Sequence, residues 1–373
     1  MAERFKLTPN ALREVIKAVA RRGTAPDKEV CAMYIEAPPG VGKSANVYQS
    51  VQELNAEFPC TMAESRASIK DVVDVAGVPW PDRERGVTVF LPPSEIPNAS
   101  IHGPRGVWFI DDFPNAPPAV QNSFYSYLIP PHRLNDHTLP EGYAIIAAGN
   151  RVEDASGVFR MGRALVNRLT IVELEVDKDQ WLQWALAKQL HADVIAFHVS
   201  PASVTERGGK VVDLLFDFDP ESLDVAFPSP RQWEAASRIL RMATEDHLPP
   251  IAVRGLLQGT VGVEAEHQFE TFRRLFHELP DIEPILQGRG SKWMGVKSVD
   301  GKYALLTAVL VRSGLDHLGN VLRWLLEIDP EYSILGIKTA KLRFGTSALL
   351  SGEHRKEVEQ WLAQHAELLA EAG

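Results

Sequence analysis

Ala37-Pro38-Pro39-Gly40-Val41-Gly42-Lys43-Ser44 is the stretch on which the reading of this chain turns. An apolar run, Val30-Cys31-Ala32-Met33-Tyr34-Ile35, leads into it and reads as a buried strand. A helical stretch follows it. The octet fits the phosphate-loop pattern G-x-x-x-x-G-K-[ST], with Ala37 in place of the first glycine. Pro39, Gly40, Val41 and Gly42 supply a backbone that can wrap closely and point its N–H groups inward at an anion. The helix beyond adds the positive end of its dipole. Lys43 is expected to hold the β and γ phosphates of ATP, and Ser44 to ligate Mg²⁺.

A second signal lies downstream. Trp108-Phe109-Ile110-Asp111-Asp112 is an apolar strand that ends in two carboxylates. After a phosphate loop, Asp111 reads as a ligand of Mg²⁺, direct or through water, and Asp112 as the group that orients or deprotonates the attacking water. Further apolar runs at 143–148 and 169–174 alternate with helical patterns, so the first half reads as a parallel sheet covered on both faces. Thr8-Pro9 opens a helix with Leu12, Val15, Ile16 and Val19 as its apolar stripe. Beyond residue 177 the pattern changes. Residues 177–190 read as a helix, 210–220 as extended or irregular, and the chain from Arg231 as mostly helical, ending in an amphipathic helix at 353–372 with Val358, Trp361, Leu362 and Leu369 on one side. Boundaries are expected near 176–225 and, more softly, near 288–302. They divide the chain into a core at 1–176, a connecting segment and helical lid at 177–290, and a mostly helical extension at 291–373.

Composition narrows the function classes. The chain has 373 residues, 45% hydrophobic and 24% charged, as an ordinary globular protein does. With 39 Lys plus Arg against 49 Asp plus Glu, the net charge of -10 argues against a general nucleic-acid coat, while leaving room for a small basic pore. Two cysteines, Cys31 and Cys60, read as core thiols of a reducing compartment. With no membrane-length apolar run and no signal-peptide h-region, the expected location is the cytoplasm. No zinc-spaced His/Cys cluster and no G-x-S-x-G nucleophile stands in the chain.

These residues together resemble an AAA+ ATPase of the MoxR type. The resemblance is carried by residues 37–44, by Asp111-Asp112-Phe113-Pro114-Asn115-Ala116-Pro117-Pro118-Ala119-Val120-Gln121, and by Ala147-Ala148-Gly149-Asn150, and it spans residues 10–245. It implies an α/β P-loop core with a parallel five-stranded sheet, an α-helical lid, and a homo-oligomeric ring, usually a hexamer, with ATP at subunit junctions. It further implies that Asn150 is sensor 1, near the lytic water or γ-phosphate; that Arg168 is the arginine finger reaching a neighbour's γ-phosphate, with Arg160 and Arg163 as rivals; and that Arg231 is sensor 2 on a lid helix. Where family members usually have Glu, this chain has Asp112, shorter by one methylene, which bears on the hydrolysis rate.

Two segments are candidates for touching a substrate. Trp80, between Pro79 and Pro81, reads more readily as a core side chain than as a grip on a polypeptide. Residues 133–140 have a hairpin tip at Asn135-Asp136-His137. Trp181, Trp184, Leu190 and the Phe269, Phe272, Phe276 series read as core. The leading expectation is an ATP-hydrolysing ring that remodels or activates a separate partner protein. Similar ATPases often work with one carrying a von Willebrand factor A-type domain, and no Asp-x-Ser-x-Ser loop of such a domain is visible here. The alternatives are a ring motor on nucleic acid and a slow-hydrolysing, nucleotide-gated scaffold.

Overall fold

The computed structural model describes residues 4–24, 32–154, 157–352 and 354–371, with side chains as far as 365. Val30, Cys31 and Leu369, which the sequence placed in a strand, in the core and on a helix face, lie outside the described residues or side chains. Contacts group the chain into two compact units, Met1–Asp177 with Asp219–Ser222, and Lys178–Phe218 with Leu223–Gly373.

The first unit opens with β1 (Lys6–Leu7) and α1 (Pro9–Ala20), for which Thr8 is the N-cap and accepts from the Ala11 N–H. Then come β2 (Ala32–Glu36), α2 (Lys43–Asn55), β3 (Thr61–Arg66), α3 (Val73–Ala76), the antiparallel pair β4 (Val78–Asp82) and β5 (Val87–Leu91), and α4 (Ala99–His102). They are followed by β6 (Arg105–Asp111), α5 (Pro118–Leu128), the hairpin β7 (Arg133–Leu134) and β8 (His137–Thr138), β9 (Gly142–Gly149), α6 (Arg163–Val166) and β10 (Leu169–Leu174). Six strands pair in parallel in the order β1-β10-β2-β9-β6-β3. The four strands located in the sequence, β2, β6, β9 and β10, are in it; β3 makes the fifth that the resemblance implied but no apolar run marked, and the two-residue β1 adds a sixth at the β10 edge. After approaching β2 from one side through β3, β6 and β9, the chain jumps across it to β10. The carboxyl ends of the central strands therefore open on a crevice of the kind that holds ligands in such sheets.

The sheet is anchored below that crevice by large buried side chains. Trp108, Phe113, Phe124, Tyr127 and Tyr143 are each at most 1% exposed. Each such side chain contributes roughly 2–3 kcal/mol by leaving water. Trp108 packs against Phe124 and Tyr127 and donates its Nε1–H to Ser65 Oγ at 3.0 Å, so its one polar atom is satisfied in the interior. Cys60 is buried as expected, and burial pushes its thiol up to about 11.

The second unit is mostly helical. It comprises α7 (Lys178–Ala187), α8 (Ala192–Val199), the hairpin β11 (Val204–Arg207) and β12 (Lys210–Asp213), α9 (Pro230–Glu245), α10 (Pro250–Val261) and α11 (Val263–His277). It continues through α12 (Glu283–Leu286), α13 (Val299–Arg312), α14 (Leu318–Glu327), α15 (Pro330–Phe344), α16 (Thr346–Leu349) and α17 (Arg355–Glu371). Phe269, Phe272 and Phe276 form the buried stripe of α11, as their 3-and-4 spacing predicts, and the stripe meets Phe197 of α8 and Trp233 of α9. Trp181 and Leu190 are core, while Trp184 is half-buried. On α17, Val358 and Trp361 are buried, but Leu362, expected beside them, is 46% exposed; His365 takes the inward place instead, one turn from Trp361.

Candidate active site

The phosphate loop joins the end of β2 to the start of α2. Gly40 and Gly42 have φ of 81° and 93°, a region costly to any residue with a Cβ. At Gly42 a Cβ would meet only Asn46 Nδ2 at 3.6 Å, so backbone conformation rather than space requires glycine there. Asn46 Nδ2 in turn donates to Gly42 O at 2.9 Å and ties the loop to the helix it starts.

The chemistry-bearing side chains converge on this loop. Lys43 is 9% exposed and its Nζ donates to Ala37 O (2.8 Å), Pro38 O (2.9 Å) and Asn150 Oδ1 (2.7 Å). Ser44 Oγ donates to Asp111 Oδ2 at 2.8 Å. Four residues from three neighbouring strand ends thus form two bonded pairs. Asp111 Oδ1 also accepts the Asp112 N–H at 3.0 Å. Asp112 has a left-handed backbone, φ 52°, which turns the chain off the end of β6 instead of continuing the strand; Asp tolerates this better than most residues. Its side chain is half-buried.

The segment after the acidic pair explains why its unusual sequence matters. Gly149 sits so close to Pro114 that a Cβ would come within 2.2 Å of Pro114 Cδ. The turn 113–116 therefore lies directly against the end of β9, next to Asn150. Gln121, 3% exposed on α5, holds the turn by donating Nε2 to Ala116 O at 2.9 Å. Tyr34 donates to Asn150 O at 3.4 Å. Arg151, the next residue, forms a fork with Asp154 (Nη2 to Oδ1, 2.9 Å) and reaches Glu173 on β10 at 3.5 Å. That clamp beside Asn150 was missed in the sequence, where only the Arg–Asp spacing of three hinted at it.

The remaining predicted residues occupy other places. Arg168 is exposed just before β10, with its Nε 3.5 Å from Tyr125 OH, and Arg160 and Arg163 are exposed on the same segment. Arg231 is exposed in the first turn of α9, in the second unit, after the Ser229 cap and Pro230. Trp80 departs from its expected core position. It is 59% exposed on β4, and the paired rows put Val78, Leu91, Val89 and Val87 on its face of the hairpin, with Asp82 at the turn end paired to Arg85. The tip at 135–136 meets this hairpin through Asp136 Oδ2, which accepts the Phe90 N–H at 2.7 Å, and meets the end of α3 through Asn135 Nδ2, which donates to Ala76 O at 2.9 Å.

This is a P-loop AAA+ architecture, a parallel core sheet followed by a helical lid region and a long, mostly helical C-terminal region. Mg²⁺ suits the donor set at its loop. The Ser44 hydroxyl and Asp111 carboxylate are hard oxygens already 2.8 Å apart, and Mg²⁺ commonly takes its other positions from phosphate and water. Among the described residues no group of three or more His, Cys, Asp or Glu could hold a metal unaided, and no helix is long and apolar enough to cross a membrane.

No family model matches the chain, and no curated protein does. Among solved structures, the chain is similar to NtrX from Brucella abortus in complex with ATP (15% identity, TM-score 0.39, covering 89% of this chain and 67% of that one). It is also similar to a mutant of RuvB from Thermotoga maritima (16% identity, TM-score 0.36, covering 82% and 83%).

Proposed function

We propose that the chain binds Mg-ATP at residues 39–44 and hydrolyses it within a homo-oligomeric ring. The observation that carries this reading is the pair of bonds Lys43–Asn150 and Ser44–Asp111, which gather a phosphate-binding cation, a metal-binding pair and a polar amide at the carboxyl ends of β2, β6 and β9. In this reading Lys43 exchanges its Asn150 contact for the β and γ phosphates, a gain of charge-assisted hydrogen bonds. Ser44 and Asp111 hold Mg²⁺, which supplies charge neutralisation on the phosphoryl oxygens. Asp112 and Asn150 orient the attacking water. Arg168 of one copy serves the pocket of the next, and Arg231 closes over its own nucleotide. Titration with a fluorescent ATP analogue tests the reading. Lys43→Ala should weaken binding by more than about tenfold, since a multiply charged ligand loses its point-charge partner. An unchanged dissociation constant would remove the phosphate loop from the account.

The ring's target is read from the β4–β5 hairpin. Its face of Val78, Trp80, Val87, Val89 and Leu91, exposed at all but the half-buried Val89, suits a polypeptide, which favours remodelling of a separate partner protein. A nucleic-acid motor is the second reading. It is favoured by exposed Arg83, three residues after Trp80 in the same hairpin, and by exposed Arg133 on the β7–β8 hairpin, because an aromatic ring and cations together suit a single strand. Binding of single-stranded DNA that falls steeply with salt would select the motor. A chain that binds ATP without turning it over would select the nucleotide-gated scaffold.

A further inference from the structure

Helix α2 carries Lys43 and Ser44 in its first turn, and its orientation therefore decides where both side chains act. One turn on from Ser44, on the same stripe, stands Tyr48. Its hydroxyl donates to Glu64 Oε2 on β3 at 2.6 Å, the short length of a hydrogen bond to a carboxylate. Its ring meets Phe109 of β6 edge-on, with centroids 6.0 Å apart. Phe109 lies two residues before Asp111, so both point to the α2 face of the sheet. Glu64 pairs with Phe109 and Arg66 with Asp111 in the parallel register, which puts Glu64 on that face as well. Burial and the Glu64 carboxylate push the Tyr48 hydroxyl well above its ordinary range, so it stays protonated and remains a donor.

We infer that Tyr48 and Glu64 are positioning residues for the Mg²⁺ site, setting the roll of α2 on the sheet and through it the approach of Ser44 to Asp111. The inference rests on the nucleotide reading above and goes beyond it, since neither residue belongs to the phosphate loop or the acidic strand end. Ser44 to Asp111 on β6 fixes the helix at one polar point, and the buried Val47, Val51 and Leu54 add apolar packing that sets distance more than roll. A second directional bond, one turn along and on the adjacent strand β3, narrows the roll further. A roll of about 10° moves a group about 5 Å from the helix axis by about 1 Å, a displacement that can cost on the order of 10²-fold where geometry is matched to chemistry. The far end of α2 is held differently, by Glu53 against Lys17 (3.2 Å) and Arg13 (4.0 Å) of α1. That contact pins the helix without touching the sheet.

The test uses the full chain and three variants, Tyr48→Phe, Glu64→Gln and Glu53→Gln, with Mg²⁺ titrated at fixed ATP. For Tyr48→Phe the Mg²⁺ concentration at half-maximal hydrolysis should rise about tenfold, while affinity for the ATP analogue in EDTA stays within about twofold of the parent. Glu64→Gln keeps an acceptor for the phenol and should show a smaller rise in the same direction. Glu53→Gln should leave the Mg²⁺ midpoint unchanged whatever it does to thermal stability. An unchanged midpoint in both clamp variants overturns the inference and leaves the nucleotide reading standing. So does a midpoint that moves only in step with Mg²⁺-free affinity or equally in Glu53→Gln, because the clamp would then be merely structural. Should Tyr48→Phe unfold, Glu64→Gln decides alone. A parent chain with no Mg²⁺-dependent turnover overturns both readings.

Discussion

Two tryptophans of the first unit lie in opposite surroundings. Trp108 on β6 is fully buried, ringed by Phe124 and Tyr127, with its indole N–H bonded to Ser65. Trp80 on β4 is 59% exposed on an apolar hairpin face. The strand Trp108 belongs to ends at Asp111, beside the proposed nucleotide site, where the Lys43–Asn150 and Ser44–Asp111 bonds join buried to half-buried groups at 2.7 and 2.8 Å. Trp80 belongs to an element outside the sheet, joined to it by loops and to the neighbouring hairpin tip through Asp136. The contrast teaches a division of labour. The nucleotide end is preorganised, as a site must be when rates are sensitive to about 1 Å. The hairpin keeps apolar area in water, which is costly unless something covers it in use.

The comparison breaks most visibly at the nucleotide end. Arg168→Ala should bind ATP normally and lose about 10³–10⁵-fold in turnover if it acts as the finger. Mixing it with Lys43→Ala should restore part of the activity, because each variant supplies what the other lacks at a shared junction. The same mixing experiment with Arg160→Ala and Arg163→Ala shows whether another arginine of that segment carries the role. Asp112→Ala should cost about 10²–10⁴-fold in turnover with binding retained, as loss of a general base does. Full turnover would pass its role to Asn150.

The two tryptophans themselves sharpen the contrast. Trp108→Ala should destabilise the protein by about 3–5 kcal/mol through the cavity it leaves, and Trp80→Ala by no more than about 0.5 kcal/mol. Chemical denaturation of both variants checks this. Equal losses would mean that the hairpin face is packed in solution and would remove the argument for a substrate grip.

The second unit adds an effect read against pH alone, outside the contrast of the two tryptophans. His198 is fully buried against Trp181, Phe197 and Trp233, and neither ring nitrogen has a hydrogen-bond partner among the described residues. Burial, and secondarily Lys178, hold its pKa well below the ordinary value. The unfolded chain therefore takes up a proton below about pH 6.5 that the folded chain refuses, and stability present above that pH is lost as pH falls, by up to about 1.4 kcal/mol per unit. His198→Phe should flatten the fall below about pH 6.5. It should leave a residual slope from His191, whose pKa burial also lowers. An unaltered slope would place the acid sensitivity elsewhere.

Sequence alone determined the features whose cause is local. The phosphate loop was legible because two left-handed glycines, a lysine and a serine must stand at fixed spacing for a backbone to wrap an anion. The acidic end of β6, the α1 cap, the hairpin tip at 135–136 and the aromatic stripe of α11 were legible for the same reason, since period and turn chemistry act over a few residues. Tertiary structure decided what depends on partners distant in the chain. Lys43 meets Asn150 across 107 positions, and Tyr48 meets a Glu64 that nothing in a one-dimensional reading sets apart from other surface carboxylates. It also decided the fate of Trp80. Val78, Trp80, Val87, Val89 and Leu91 have the composition of a core strand pair, and a pattern reports which residues share a face but not whether anything packs against it. Burial is a property of the neighbours, and the strands of the main sheet found theirs while this hairpin face did not.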